Sequence, residues 1–265
     1  MMYEKYWGLR EKPFENTPDP RFFYKSLKHE EALARLVYTI EGRKALGILT
    51  GDYGSGKTLI CRTLFQVLNP DVYKTAVIVN PRIPLVEFLI EISRQLGAEA
   101  IPERKIEILN LIEVLLKRNL EIGKNTVVIV DESHLIDDPE TFEELRLLLN
   151  FQLNEKCLLT LIFIGQTELR EKISRNPQLK QRVSMSYHLS SLDEKETKEY
   201  IEFRLKVAGK EKEIFASESI KSIYTHSKGL PRVINNICDL SLFVGCGKNA
   251  KKINGEVIEE VIAEL

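Results

Sequence analysis

The chain has 265 residues, enough for one large domain or two smaller ones around a sizeable core. Hydrophobic residues make up 43% and charged residues 29%, a globular composition that excludes a disordered, collagen-like or membrane-embedded chain. A net charge of −1 argues against a broadly basic nucleic-acid coat and leaves that role only to local patches.

Apolar runs such as 157–165 fall short of the roughly 20 residues that span a bilayer. The N-terminal segment scatters its charges and has no apolar stretch of the kind a secretory leader needs. Cys61, Cys157, Cys238 and Cys246 form no CxxC pair. They read as buried thiols, and their usage points to the reducing cytoplasm.

Residues 1–28 carry Pro13, Pro18 and Pro20 among many aromatics. This composition predicts an extended arm without helix. Phe14, Pro18 and Tyr24 are expected to cover either the core or the base of a ligand. A helix is predicted over 29–43 from Leu33, Leu36, Val37 and Ile40. Alternating units follow: strands at 45–50, 75–80, 126–132, 157–165 and, more weakly, 184–189, with helices at 57–67, 84–96, 103–121 and 139–153. Continuous apolar strands alternating with helices imply a parallel sheet covered on both faces. From Ser191 the pattern becomes all helix, at 193–208, 216–227, 231–246 and 254–264. The expected division is an arm at 1–28, an α/β nucleotide-binding domain at 29–190 and a helical domain at 191–265.

Gly51-Asp52-Tyr53-Gly54-Ser55-Gly56-Lys57-Thr58 fits G-x-x-x-x-G-K-[ST] between a strand and a helix. Glycines in such a loop let backbone N–H groups converge on phosphate, and the helix start adds its positive end. Lys57 is expected to reach the β- and γ-phosphates, and Thr58 to bind Mg²⁺. Leu59 completes the nucleotide-binding segment. The strand Val127-Val128-Ile129-Val130 delivers Asp131 and Glu132 at its C-terminal tip, where ligands sit in open α/β sheets. Asp131 is expected to hold Mg²⁺ and Glu132 to polarise the attacking water. His134 makes the string read like a helicase box, but no second set of strands follows.

Gln166 follows the fourth strand. If that strand lies between those carrying the P-loop and Asp131, Gln166 faces the γ-phosphate. Arg182, just before the fifth strand, is the candidate for an arginine finger that reaches the ATP of a neighbouring subunit, with Arg175 the weaker candidate. In Gly229-Leu230-Pro231-Arg232, the proline suits a first helical turn and sets Arg232 at the helix start, facing back toward the nucleotide.

Taken together these residues resemble the AAA+ ATPases. More narrowly, Tyr6-Trp7-Gly8-Leu9, Lys12-Pro13-Phe14, Thr17-Pro18-Asp19-Pro20, Phe23-Tyr24, His29-Glu30-Glu31-Ala32-Leu33, Phe163-Ile164-Gly165-Gln166 and Gly229-Leu230-Pro231-Arg232 resemble the general secretion pathway protein A (ExeA-type) family. The resemblance implies a three-layer αβα P-loop NTPase with strand order 5-1-4-3-2, followed by a small all-α lid. It implies Walker A roles for Lys57 and Thr58, and Walker B roles for Asp131 and Glu132. Gln166 matches sensor 1, Arg182 the finger and Arg232 sensor 2. It also implies Mg²⁺-dependent ATP hydrolysis by a homo-oligomer that drives assembly of a secretion or pilus complex.

Longer members continue into a membrane helix and a peptidoglycan-binding domain. The expectation for this chain is no membrane contact of its own, with any place at the inner membrane reached through partners. The alternative is a DNA-binding transposition regulator of the TniB/TnsC type, using basic residues such as Arg170, Lys172, Arg175 and Lys180.

Overall fold

A computed structural model describes residues 3–153, 156–210 and 213–265, and the statements below concern those residues. In chain order the elements are α1 (Glu4–Trp7), α2 (Leu27–Glu41), β1 (Leu46–Gly51), α3 (Lys57–Val67), β2 (Tyr73–Ile78), α4 (Leu85–Leu96), α5 (Lys105–Glu121), β3 (Asn125–Val130), α6 (Pro139–Leu148), β4 (Gln152–Leu153), β5 (Lys156–Cys157), β6 (Leu159–Gly165), α7 (Glu168–Ser174), α8 (Pro177–Arg182), β7 (Val183–Leu189), α9 (Glu194–Val207), α10 (Ser217–Ser227), α11 (Pro231–Gly247) and α12 (Gly255–Glu264). They group into two compact units. One comprises Glu30–Gly51 and Ile60–Leu189; the other comprises Met1–His29, Asp52–Leu59 and Ser190–Leu265.

The first unit is built on a five-stranded parallel sheet of order β2-β3-β6-β1-β7. Counting only the sheet strands, this is the order 5-1-4-3-2 read from the other edge. β1 and β6 are buried at every residue, so they must be apolar on both faces. β7, at an edge, buries only Met185 and Leu189, which explains its faint sequence signal. Phe142 of α6 meets Phe163 of β6 edge to face at 5.8 Å within the core.

Helix starts in this unit follow local chemistry. Asp138 caps α6 and Asn176 caps α8, each followed by a proline at the first helical position. The expected helix over 139–153 ends instead at Leu148. A small antiparallel pair, β4 with β5, follows it.

The second unit is helical. Asp193 and Glu196 close a reciprocal capping box on α9, Pro231 opens α11, and Asn254 caps α12. A single bridge, Phe215 to Ile253, breaks the expected all-helix pattern.

The arm departs from the extended, helix-free form expected for it. It contains α1, placed ahead of its prolines, and a 3₁₀ turn at Pro20–Phe22, where Pro20 sits at a tolerated first position. Most of its aromatics are core, while Tyr6 is exposed. Tyr3, Trp7 and Phe14 are buried with residues of α9 to α12. Trp7 Nε1 donates to the Leu242 carbonyl at 2.8 Å. Phe14 meets Phe215 edge to face, and Tyr24 packs on Tyr200 and Phe203. Phe14 is therefore unavailable to a nucleotide base: burying so large an apolar ring among partners outweighs leaving it at a ligand surface.

Candidate functional site

The residues singled out from the sequence fall into two groups, one in each unit.

The helical unit holds the loop Asp52–Leu59. Gly54 and Gly56 take φ of +79° and +101°, conformations that side chains strain to adopt. A Cβ on Gly54 would lie 2.7 Å from Arg232 Cβ, and one on Gly56 would lie 3.1 Å from His29 Nε2. The loop is thus wedged between α11 and the start of α2. Arg232 N–H donates to the Gly54 carbonyl at 3.2 Å. The Arg232 guanidinium donates to Tyr53 Oη at 2.5 Å and lies 4.8 Å from the centre of that ring.

On the other side of the loop, His29 Nε2 sits 3.1 Å from the Ser55 carbonyl and Nδ1 sits 2.7 Å from Ser26 Oγ. The geometry fits a neutral ring that accepts from the serine and donates to the loop. Burial pushes the His29 pKa down, which favours that form.

Lys57 is buried at the start of α3, and its Nζ donates to the Asp52 carbonyl at 2.8 Å. Ser55 Oγ is buried without a hydrogen-bond partner. A glycine cradle, an orphaned hydroxyl, a lysine folded over the loop and a helix N-terminus together fit a phosphate chain.

The sheet unit carries the acidic group. β1 ends at Gly51, from which the loop departs. The pairings Thr50 with Gly165 and Val130 with Phe163 set the C-terminal ends of β1, β6 and β3 side by side. β6 lies between β1 and β3, the arrangement on which the reading of Gln166 depended.

Asp131 is buried; its Oδ1 accepts from Glu132 N–H at 2.9 Å and its own N–H donates to the Ile78 carbonyl. Glu132 has φ +51°, an uncommon conformation for a residue with a side chain. Its carboxylate lies 3.4 Å from His134 Nδ1. Gln166 N–H donates to the same Nδ1 at 3.3 Å. Cys61, buried and near the Asp131 charge, has its thiol pushed up to about 12.

Arg182 ends α8 beside the edge strand β7 and donates to Asn150 Oδ1 at 2.6 Å. Arg175 is exposed and faces Glu171 at 3.9 Å.

Among the described residues no group of three His, Cys, Asp or Glu side chains is placed to hold a metal by itself. The residue types of Thr58 and Asp131 suit Mg²⁺, which keeps waters and phosphate oxygens in its shell and needs few protein ligands. No helix among the described residues is long and apolar enough to cross a membrane.

Three features escaped the sequence: the Ser26–His29–Ser55 chain, the Tyr53–Arg232 pair and the place of His134. A local hint to the first was the polar spacing Ser-x-x-His at 26–29.

A parallel sheet with a glycine loop at one strand end and carboxylates at another defines a P-loop nucleotide-binding protein. The chain belongs to the AAA domain family, which it matches over residues 40–173. A relative is General secretion pathway protein A of Aeromonas hydrophila, 38% identical over 257 residues. The match covers 95% of this chain and 46% of that protein, so the chain spans about half the length of its relative. The narrower resemblance, read from the arm and from residues 29–33, 163–166 and 229–232, is borne out as a resemblance.

Solved structures share the fold. The ORC2 protein of Aeropyrum pernix in its ADPNP–ADP complexes has a TM-score of 0.73 at 16% identity, covering 96% of this chain and 71% of that one. Cdc6p of Pyrobaculum aerophilum has a TM-score of 0.73 at 16% identity, covering 95% and 70%. The RuvB Holliday junction branch migration motor of Thermotoga maritima has a TM-score of 0.61 at 16% identity, covering 91% and 70%.

Proposed function

We propose that the chain binds ATP with Mg²⁺ and hydrolyses it as a homo-oligomer, and that turnover drives assembly or remodelling of a secretion-type envelope complex. The phosphate cradle of Asp52–Lys57 carries the nucleotide part of this reading. The relationship to General secretion pathway protein A supports the secretion part.

In this reading the loop N–H groups and Lys57 neutralise the phosphates, Lys57 leaving the Asp52 carbonyl to do so. Thr58 and Asp131 hold Mg²⁺, which when bound adds charge stabilisation on the phosphate oxygens. Glu132 accepts a proton from the attacking water, and Gln166 orients that water. Arg232 exchanges Tyr53 for phosphate oxygens. Arg182, beside an edge strand, serves a neighbouring subunit.

Two of the four cations named for a DNA-binding stripe are engaged within the chain, while Arg170 and Lys180 are exposed. In the stretch named for a basic stripe, Lys172 donates to the His134 and Ile136 carbonyls and to Asp137, and Arg175 faces Glu171. Binding to nucleic-acid phosphates rests on clustered Lys and Arg.

The test is a pair of variants. Lys57→Ala is expected to lose ATP binding, whereas Glu132→Gln keeps ATP bound and stops turnover. Equal loss of ATP affinity in both would refute the assignment of roles.

A further inference from the structure

His134 stands where the two chemical strands of the sheet unit come together. It sits in the short 3₁₀ turn Ser133–Leu135 that follows β3 and Glu132. The turn is pressed onto the end of β6: a Cβ on Gly165 would lie 3.1 Å from His134 N and 3.3 Å from its Nδ1. Lys172 ties the same turn to α7 by donating to the His134 carbonyl at 2.6 Å and the Ile136 carbonyl at 2.8 Å. The imidazole is only 11% exposed, so its position is set by packing.

One ring nitrogen then faces two groups with opposite demands. Gln166 N–H, 3.3 Å away, needs a lone pair on Nδ1. Glu132 Oε2, 3.4 Å away, would need a proton there. A neutral ring with its proton on Nε2 satisfies Gln166 and leaves the carboxylate without a donor. Glu132 is then confined next to the ring yet free to accept a proton from water.

We propose that His134 is a positioning residue for turnover: Nδ1 fixes the backbone of Gln166 and the packed ring limits where the Glu132 carboxylate can sit, so the tips of β3 and β6 act together. The proposal rests on the ATP-hydrolysis reading above, and deepens it.

The experiment measures kcat and KM for ATP hydrolysis with Mg²⁺, and ATP affinity, for the chain as it stands and for His134→Ala, His134→Asn and Glu132→Gln. His134→Ala should bind ATP within about twofold of the parent and lose roughly 10- to 100-fold in kcat, the scale of a misplaced reacting group. His134→Asn should recover most of that loss, since its Oδ1 accepts near the place of Nδ1 and never donates to Glu132. If His134→Ala does not fold, His134→Gln replaces it: its longer amide misses the Nδ1 position and should show the same kcat loss.

A kcat within twofold of the parent in the alanine or glutamine variant, with Glu132→Gln inactive, overturns the proposal alone. So does an asparagine variant as slow as alanine. A Glu132→Gln variant that turns over normally overturns the hydrolysis reading and the proposal with it.

Discussion

Replacing Arg204 with methionine tests how the arm is held. Arg204, on α9, is 4% exposed and makes no salt bridge among the described residues. Its guanidinium donates to the Pro13 carbonyl at 2.5 Å, the Glu15 carbonyl at 2.9 Å and Tyr200 Oη at 2.7 Å. It also lies 4.8 Å from the centre of the Phe22 ring. Methionine keeps the packing of the stem and removes the cost of burying a charge, which by itself would stabilise the unit. Against that, the Pro13 carbonyl loses its donor in a buried place, at about 1–3 kcal/mol. The Glu15 carbonyl, partly open to water, loses less, and the stacking on Phe22 contributes about 1 kcal/mol. The unpaired carbonyls win, because arginine here works as a hydrogen-bond clamp without a carboxylate to lose. The expected net loss is about 2–4 kcal/mol. Urea unfolding followed by the fluorescence of Trp7, the one tryptophan and a core residue of this unit, measures it directly. A loss under about 1 kcal/mol would show that the arm is held by its aromatics alone.

Gly54→Ala should abolish ATP binding while the sheet unit stays folded, because its Cβ would meet Arg232 Cβ at 2.7 Å in a backbone region that alanine avoids; equilibrium nucleotide binding reads this. The helical unit should weaken on acidification through His29. Its folded pKa is depressed, so below the ordinary value near 6.5 the unfolded chain binds the extra proton, and stability present above that pH is lost as pH falls. Unfolding midpoints at pH 7.5 and 5.5 should therefore differ more in the parent than in His29→Gln, and equal shifts would remove His29 as the cause. Arg182→Ala should bind ATP and hydrolyse it slowly, and mixing it with Glu132→Gln should restore part of the activity, since each variant keeps what the other lacks. Absence of rescue in mixtures that demonstrably co-assemble would confine Arg182 to its own subunit or remove its role.

What could be read from the sequence was local or periodic. The P-loop is one contiguous string, and the carboxylates end a run of apolar residues that must be buried on both faces. Helix starts could be read where a capping side chain and a proline stand together, as at Asp138-Pro139 and Asn176-Pro177. Gln166 could be singled out, but its value hung on the strand order, which comes from pairing between segments far apart in the chain.

The arm shows the opposite case. Its prolines pointed to an arm with no helix, yet α1 forms ahead of them, and nothing local says that Phe14 packs on Phe215 or that Trp7 bonds to Leu242. Those partners are chosen by burial, which is non-directional and acts across any separation. The same holds for the polar contacts of the candidate site. His29 to Ser55, His134 to Gln166 and Arg232 to Tyr53 span 26, 32 and 179 residues. A hydrogen bond between such groups carries no periodicity and no spacing. It exists because packing has brought a donor and an acceptor together where water is scarce, and only the tertiary structure decides which ones meet.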